Sequence, residues 1–179
     1  KGNAALLSLL MLKRGAARLI FTGVAGGVDP ALRIGDLVVS RDAVQHDVDA
    51  TAFDYRLGQV PGSPAVWEAD PALRRLAVAA ARRLKGVRVL EGRVASGDQF
   101  AASPEKVAWL REAFGAACVE MEGAAVAQTC AKWEVPWVVI RSISDSADGG
   151  AAADFESFSR ASAVRAKGVV RGMLERLGS

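Results

Sequence analysis

Ala117-Cys118-Val119-Glu120-Met121-Glu122-Gly123-Ala124-Ala125 carries a short apolar run into two carboxylates separated by a methionine. A glycine and small residues follow, and a helical pattern then runs through Trp133. The stretch reads as strand, turn and helix start. That order puts Glu120 and Glu122 at the carboxyl end of a strand, the edge at which open α/β sheets bind ligands. Glu122 then stands near a helix N-terminus, where the dipole favours an ionised carboxylate. Acidic residues also begin helices for purely structural reasons, so the stretch needs support from elsewhere in the chain.

Three other strand ends supply it. Arg18-Leu19-Ile20-Phe21 reads as a buried strand running into Thr22-Gly23-Val24-Ala25-Gly26-Gly27. A Gly-rich loop there would let backbone N–H groups approach a phosphate or sugar, although a tight turn is the commoner explanation of such a stretch. Residues 87–94 are strand-like and end in Ala95-Ser96-Gly97-Asp98-Gln99-Phe100. Phe100 would either stack on a base or join the core. Trp137-Val138-Val139-Ile140 reads as a buried strand closing in Arg141-Ser142-Ile143-Ser144-Asp145, polar groups that are costly to bury without a purpose. Strands alternate with helices, which predicts an α/β domain. In one sheet with a common direction, the four ends converge, and that convergence argues for an enzyme.

The remaining pattern is consistent with this. Residues 4–12 predict a mostly buried helix stopped by Lys13, Arg14 and Gly15. Ile34 to Ser40 reads as a turn and a strand, and residues 41–66 as irregular. A connection that long is usually functional or interfacial, and its Phe53 and Tyr55 call for a ligand or a partner subunit to cover them. Asp70-Pro71 and Ser103-Pro104 open helices, and a last amphipathic helix runs from about Asp154 to Leu177.

Composition narrows the function. The 179 residues suffice for one domain with a substantial core, and 51% are hydrophobic against 24% charged. The net charge of +3 is too small and scattered to indicate nucleic acid. No apolar run is long enough to span a bilayer. Cys118 and Cys130 form no disulfide framework, read best as small buried hydrophobes, and suit a cytoplasmic location. His46 is the one histidine, which argues against a multi-histidine metal site. A Ser-His-Asp triad would have to use it, from a loop-like acidic stretch beside Asp47 and Asp49.

Together, Thr22-Gly-Val-Ala-Gly-Gly, Val94-Ala-Ser-Gly-Asp-Gln-Phe, Val119-Glu-Met-Glu-Gly-Ala-Ala and Val139-Ile-Arg-Ser-Ile-Ser-Asp resemble the nucleoside phosphorylase superfamily. Within it the chain is similar to the 5′-methylthioadenosine/S-adenosylhomocysteine nucleosidases. His46-Asp-Val-Asp-Ala-Thr-Ala-Phe-Asp-Tyr and Gly58-Gln-Val-Pro-Gly match them too. The resemblance covers essentially the whole chain, in order, as a single domain over residues 1–179.

The resemblance implies a three-layer α/β/α fold with a mixed central sheet, a homodimer, and no metal or organic cofactor. It implies a hydrolase that frees adenine from methylthioadenosine and S-adenosylhomocysteine in methionine salvage. Asp145 matches the general acid, oriented by Ser144; a buried carboxyl favours its neutral form. Glu122 matches the carboxylate that binds the ribose hydroxyls and steadies the ribosyl cation. Arg141 matches a residue near the attacking water. Met121 would line the ribose, Phe100 would stack on adenine, and the backbone near Ala101 would read the purine edge. Phe155 would close over the pocket, and Val24, Gly26 and Glu120 are further substrate-binding positions. From the partner subunit, Ala50, Phe53, Tyr55 and Pro61 would receive the 5′-thio group.

Two departures accompany the match. The family carries a further N-terminal part whose first strand bears the water-activating glutamate, and this chain starts after it. The expectation is therefore a sheet that has lost strands and exposes an edge. Val24 also stands where many members have Ser or Thr. The alternatives are a purine nucleoside phosphorylase, an aminofutalosine-type nucleosidase, or an inactive domain that still binds nucleosides or dimerises.

Overall fold

The computed structural model describes residues 1–145 and 151–177, with the side chains of 151–157, 159 and 160 outside that set. Among the described residues there are six strands and five helices, alternating from Trp67 onward. They are α1 (Gly2–Lys13), β1 (Leu19–Gly27), β2 (Leu37–Gln45), β3 (Trp67–Glu68), α2 (Pro71–Ala81), β4 (Val89–Ser96), α3 (Pro104–Phe114), β5 (Ala116–Glu120), α4 (Gly123–Lys132), β6 (Trp137–Asp145) and α5 (Ala151–Leu177). A single 3₁₀ turn, Thr51–Phe53, interrupts the long connection after β2.

Local chemistry starts the helices where the sequence places them. The Asp70 carboxylate accepts from Leu73 N at 2.7 Å and Pro71 fills the first turn of α2. Ser103 does the same for α3, accepting from Lys106 N at 3.2 Å ahead of Pro104. Gly115 closes α3 in the left-handed conformation at φ 60°.

The sheet runs β3-β2-β4-β5-β1-β6 and is mixed, so the expected common strand direction does not hold. β2, β4 and β5 are mutually parallel, as are β1 and β6. β1 meets β5 antiparallel over only two residue pairs, Gly26 with Val119 and Gly27 with Cys118. Two strands that approach from opposite sides and overlap only at their last residues still bring their carboxyl ends together. The convergence inferred from the sequence thus survives for a different reason.

An exposed sheet edge was the expectation, and one is found along residues 19–25 of β1, which pair with β6 alone because β5 reaches only Gly26 and Gly27; elsewhere the sheet closes. It curls until β2 also pairs antiparallel with β6, Leu37 opposite Ser142 and Val39 opposite Ile140. Among the described residues, β2, β4, β5 and β6 thus have neighbours on both sides, whereas β1 has two only at Gly26 and Gly27. The row of β1 backbone groups over residues 19–25 stays open on the side away from β6, the kind of edge that a further strand or a partner covers.

Alternation along the strands feeds two layers of helix. Val38 and Val139 face α4 residues Val126, Ala127 and Cys130, with Leu12 of α1. Leu37, Val39, Val138 and Ile140 face Leu73 and Ala77 of α2 and Val169 and Met173 of α5. A third group packs α3 through Val107, Leu110 and Phe114 against Val44, Ala95 and Val119.

Three further expectations need correction. The Gly-rich stretch 22–27 is strand, not loop, because β6 pairs with it residue by residue. β2 extends through Gln45, so the irregular segment begins later than predicted. And α1 is not mostly buried: only Ser8 and Leu12 are, while Leu6, Leu7, Leu10 and Met11 are exposed. A helix apolar all round gives no sign of which face packs.

Candidate active site

The converging strand ends enclose a cavity of about 310 Å³. Val24 and Gly26 come from β1, Phe100 and Ala101 from the turn after β4, Glu120 from the end of β5, and Ser144 and Asp145 from the end of β6. Met121 and Glu122 line it from the β5–α4 turn. Those nine residues were expected there. Ala25, Gln99 and Val119 were not, and they line it as well. Gln99 stood inside a stretch already singled out, whereas Ala25 and Val119 are apolar strand residues with no sequence signal of a site.

The two carboxylates of the opening stretch divide their tasks differently from the sequence reading. Glu122 does occupy the N-cap position of α4, but its side chain caps nothing. Glu120 reaches forward instead. Its Oε1 and Oε2 accept from Gly123 N at 2.9 and 2.8 Å, and Oε2 accepts from Glu122 N at 3.2 Å. The dipole argument therefore belongs to Glu120. Glu122, with 44% of its side chain exposed, keeps its carboxylate free to face the cavity.

Around Glu120 the bonding is dense. The Ser96 hydroxyl donates to Oε1 and the Arg141 guanidinium donates to Oε2. Ser96 Oγ in turn accepts from Ala124 N at 2.7 Å, so one serine ties β4, β5 and α4 together. Ser96 is the site residue the sequence reading passed over; a serine at a buried strand end, just before Gly97, was the available signal. Arg141 is buried, with its guanidinium 4.4 Å from the Phe21 ring centroid, and it lies behind the cavity wall rather than in it. Its Nη2 is 3.8 Å from Glu122 Oε2, which links the two carboxylates through one cation. A buried pair of this kind holds only because the remaining lone pairs are also satisfied.

On the opposite wall, the Ser144 hydroxyl lies 2.6 Å from Asp145 Oδ2 and 3.3 Å from the Ala25 carbonyl oxygen. It has one proton and can serve one acceptor at a time. Donating to Asp145 suits the carboxylate. Donating to Ala25 leaves a lone pair to accept from a neutral Asp145 carboxyl. The same contact thus suits both protonation states, as a proton-transferring acid requires.

Phe100 is 63% exposed and stands at the mouth, available to a planar ligand. Phe155 belongs to the residues whose side chains lie outside the described set. Ala50, Phe53, Tyr55 and Pro61 all fall on the connection after β2 and do not line this chain's own cavity. Phe53 is 78% exposed. His46 does not line the cavity, is buried, and among the described residues no other residue pairs with either ring nitrogen, so it forms no triad.

With this geometry in place, comparisons with known proteins are informative. The profile of the phosphorylase superfamily matches residues 1–175. A 5′-methylthioadenosine/S-adenosylhomocysteine nucleosidase of Geobacillus kaustophilus is 44% identical over 97% of this chain and 75% of its own length. The structure of the Neisseria meningitidis enzyme of that name, in complex with methylthio-immucillin-A, superposes with a TM-score of 0.94. It is 41% identical, over 98% of this chain and 77% of that one. The futalosine hydrolase of Helicobacter pylori superposes with a TM-score of 0.92 at 40% identity, over 98% and 76%. On fold, site and sequence alike, the chain belongs to the phosphorylase superfamily and, within it, to the 5′-methylthioadenosine/S-adenosylhomocysteine nucleosidase family.

Proposed function

We propose that the chain hydrolyses the N-glycosidic bond of 5′-methylthioadenosine and S-adenosylhomocysteine, releasing adenine and a thioribose, as a step of methionine salvage. One observation carries the reading. A single cavity holds Asp145 with its serine on one wall and the Glu122 carboxylate on another, in a chain 44% identical to such a nucleosidase.

Cleavage moves the bonding electron pair onto the purine and leaves a cation on the ribose. In this proposal Asp145 gives its proton to N7 of the base, so that adenine departs neutral. Glu122 stays ionised and offsets the ribosyl cation, a charge that develops only in the transition state. Water then adds at C1′, and the proton it gives up returns by way of solvent to the Asp145 carboxylate, which restores the acid. Arg141, 3.8 Å from Glu122 and joined to Glu120, would hold that carboxylate in place beside the water. Phe100 and the backbone of Ala101 would receive the adenine. Two carboxyls in opposite protonation states are a recurrent division of labour.

The test is adenine release from methylthioadenosine by the purified chain, with and without phosphate. Release without phosphate supports hydrolysis, and an absolute need for phosphate would move the protein among the phosphorylases. Asp145→Asn is expected to slow release by about 10²–10⁴-fold. Near-parent turnover in that variant would sink the assigned role. A second reading, a futalosine-type nucleoside as the preferred substrate, is favoured by the Helicobacter pylori structure, and the two kcat/KM values decide between them.

We also propose a single domain over residues 1–179 that works as a homodimer. The exposed Leu6, Leu7, Leu10 and Met11 of α1, together with exposed Phe53, offer more apolar surface than a monomer usually leaves wet. In the dimer, Ala50, Phe53, Tyr55 and Pro61 would complete the partner's 5′-thio pocket, and Phe155 would close over it. Burial pushes the Cys130 thiol up to about 11 and Cys118 higher still. Free, unreactive thiols fit a cytoplasmic setting, and no helix among the described residues is long and apolar enough to cross a membrane.

A further inference from the structure

The imidazole of His46 is buried to 1% exposure, yet among the described residues no other residue offers Nδ1 or Nε2 a hydrogen bond. A buried polar ring without a partner is costly and calls for a reason. What touches it supplies one. His46 N donates to Ser96 O at 2.9 Å, which holds it beside the end of β4. Gly97 is packed so closely on the ring that a Cβ there would overlap Cε1 and Nε2. Trp109 of α3 meets the ring edge-on, with centroids 6.0 Å apart. The next residue, Asp47, accepts from Asp98 N at 2.8 Å. Gly97 N is fixed on its other side by Glu120 O at 3.1 Å. Residues 97 and 98 are therefore pinned from below by His46 and Asp47. Directly beyond them come Gln99, Phe100 and Ala101, which line the cavity.

We propose that His46 is a positioning residue: its uncharged ring is the seat that holds the turn of residues 97–101, and with it the purine wall, in place. The proposal rests on the reading of that turn as the purine-binding wall. It gives the lone histidine a role at a distance from the reacting atoms, acting through Gly97 and Phe100.

The charges around the ring favour the uncharged form. Burial lowers its pKa below the ordinary 6.5, and the Lys106 ammonium from α3 pushes the same way, as does Lys1 from α1. Asp47, on the same segment, pulls in the opposite sense. The Asp98 carboxylate stands on the turn itself and is largely exposed. Lys106 lies 3.9 Å over the Trp109 ring, so a charged His46 would meet a second cation across one indole. With the folded-state pKa lowered, the unfolded or opened form takes up the proton more readily. The seated turn is then fully stable above 6.5 and loses stability as pH falls from there toward the folded-state midpoint.

Because His46 is the chain's one histidine, its ring resonance is assigned without ambiguity. The experiment follows that resonance by NMR from about pH 7.5 to about 5, together with amide exchange at Gly97 and Asp98 and the affinity for adenine. As His46 takes up its proton, protection of both amides should fall about tenfold with the same midpoint, and adenine affinity should fall in parallel. In His46→Leu, which fills the seat and cannot titrate, both should become independent of pH. Lys106→Gln, changed at a flexible side-chain end, is the second variant. It should move the His46 midpoint and the transition of the turn upward together. The proposal is overturned if His46 titrates while the two amides stay protected, or if the Lys106→Gln shift moves one midpoint without the other. Absence of adenine binding at every pH, with the coupling of ring and turn intact, would instead remove the purine-pocket reading and leave the positioning role standing.

Discussion

Replacing Glu120 by glutamine changes one atom and should disturb the centre of the site more than any other conservative substitution. Both carboxylate oxygens are already surrounded by donors. Oε1 receives the Ser96 hydroxyl and Gly123 N, and Oε2 receives Arg141, Glu122 N and Gly123 N. A glutamine amide must place its NH₂ on one side or the other. On either side it meets the Gly123 N–H, and on the Oε2 side it also meets the guanidinium. The substitution also strips the counter-charge from Arg141, which is buried. Removing one partner of a buried ion pair costs about 3–5 kcal/mol, because the other charge is left uncompensated. For a chain of this size, each kcal/mol lowers Tm by roughly 2–4 °C. The expected drop is therefore on the order of 10 °C, and a sizeable share of the whole stability of a domain. Calorimetry or circular dichroism on Glu120→Gln and the parent at neutral pH reads it directly. Loss of activity at temperatures where the variant is still folded should follow, since Arg141 also touches Glu122. A Glu120→Gln protein within about 1 kcal/mol of the parent would refute the claim that Arg141 depends on this carboxylate.

Gly23→Ala tests the same cation from the other side. Gly23 pairs with Arg141 across β1 and β6, and a Cβ there would overlap Nη1, with Cζ only 3.0 Å away. The guanidinium must swing off its present line, and misplacement of about 1 Å near the chemistry costs on the order of 10²-fold in kcat. Adenine affinity should change little; unchanged kcat would show that the position of Arg141 is unimportant. Phe53→Ala tests the subunit argument. Sedimentation should show a dimer for the parent, and the variant should raise KM for methylthioadenosine about tenfold while adenine alone binds as before, because in the proposed dimer the lost ring would face the 5′ substituent. A monomeric, fully active parent would dispose of the shared pocket.

Most of the strand ends were readable because each joins an apolar run to residues that are expensive to bury, as in Trp137 to Asp145. The swap between Glu120 and Glu122 was not. Either residue stands close enough to serve the helix start at Gly123, and the choice depends on the backbone at 122, where φ −139° and ψ −37° turn the chain so that Glu120 faces the amides. Strand direction was illegible for a related reason. The two-residue overlap of β1 with β5 is a tertiary event with no local pattern behind it. The exposure of α1 could not be read either, since apolar residues on every face look alike whether they await the core or another subunit.

The glycines point the other way, to information that was present and easily misread. Gly23, Gly97 and Gly123 each stood in a stretch singled out from sequence, and the first of these stretches was read as a loop for its backbone freedom. In the structure what matters at all three is space. A Cβ at Gly23 would strike Arg141, one at Gly97 would strike His46, and one at Gly123 would lie 3.1 Å from Glu120 Oε1. Each glycine marks where the side chain of another residue passes through the wall of the site. Of those three side chains, the buried cation and the lone histidine stand behind the cavity surface, and the carboxylate of Glu120 joins the cation to the lining. Glycines at strand ends can thus be read as a negative image of the supporting layer, and at Gly97 that image is what singles out a histidine that neither its sequence context nor its own hydrogen bonds distinguish.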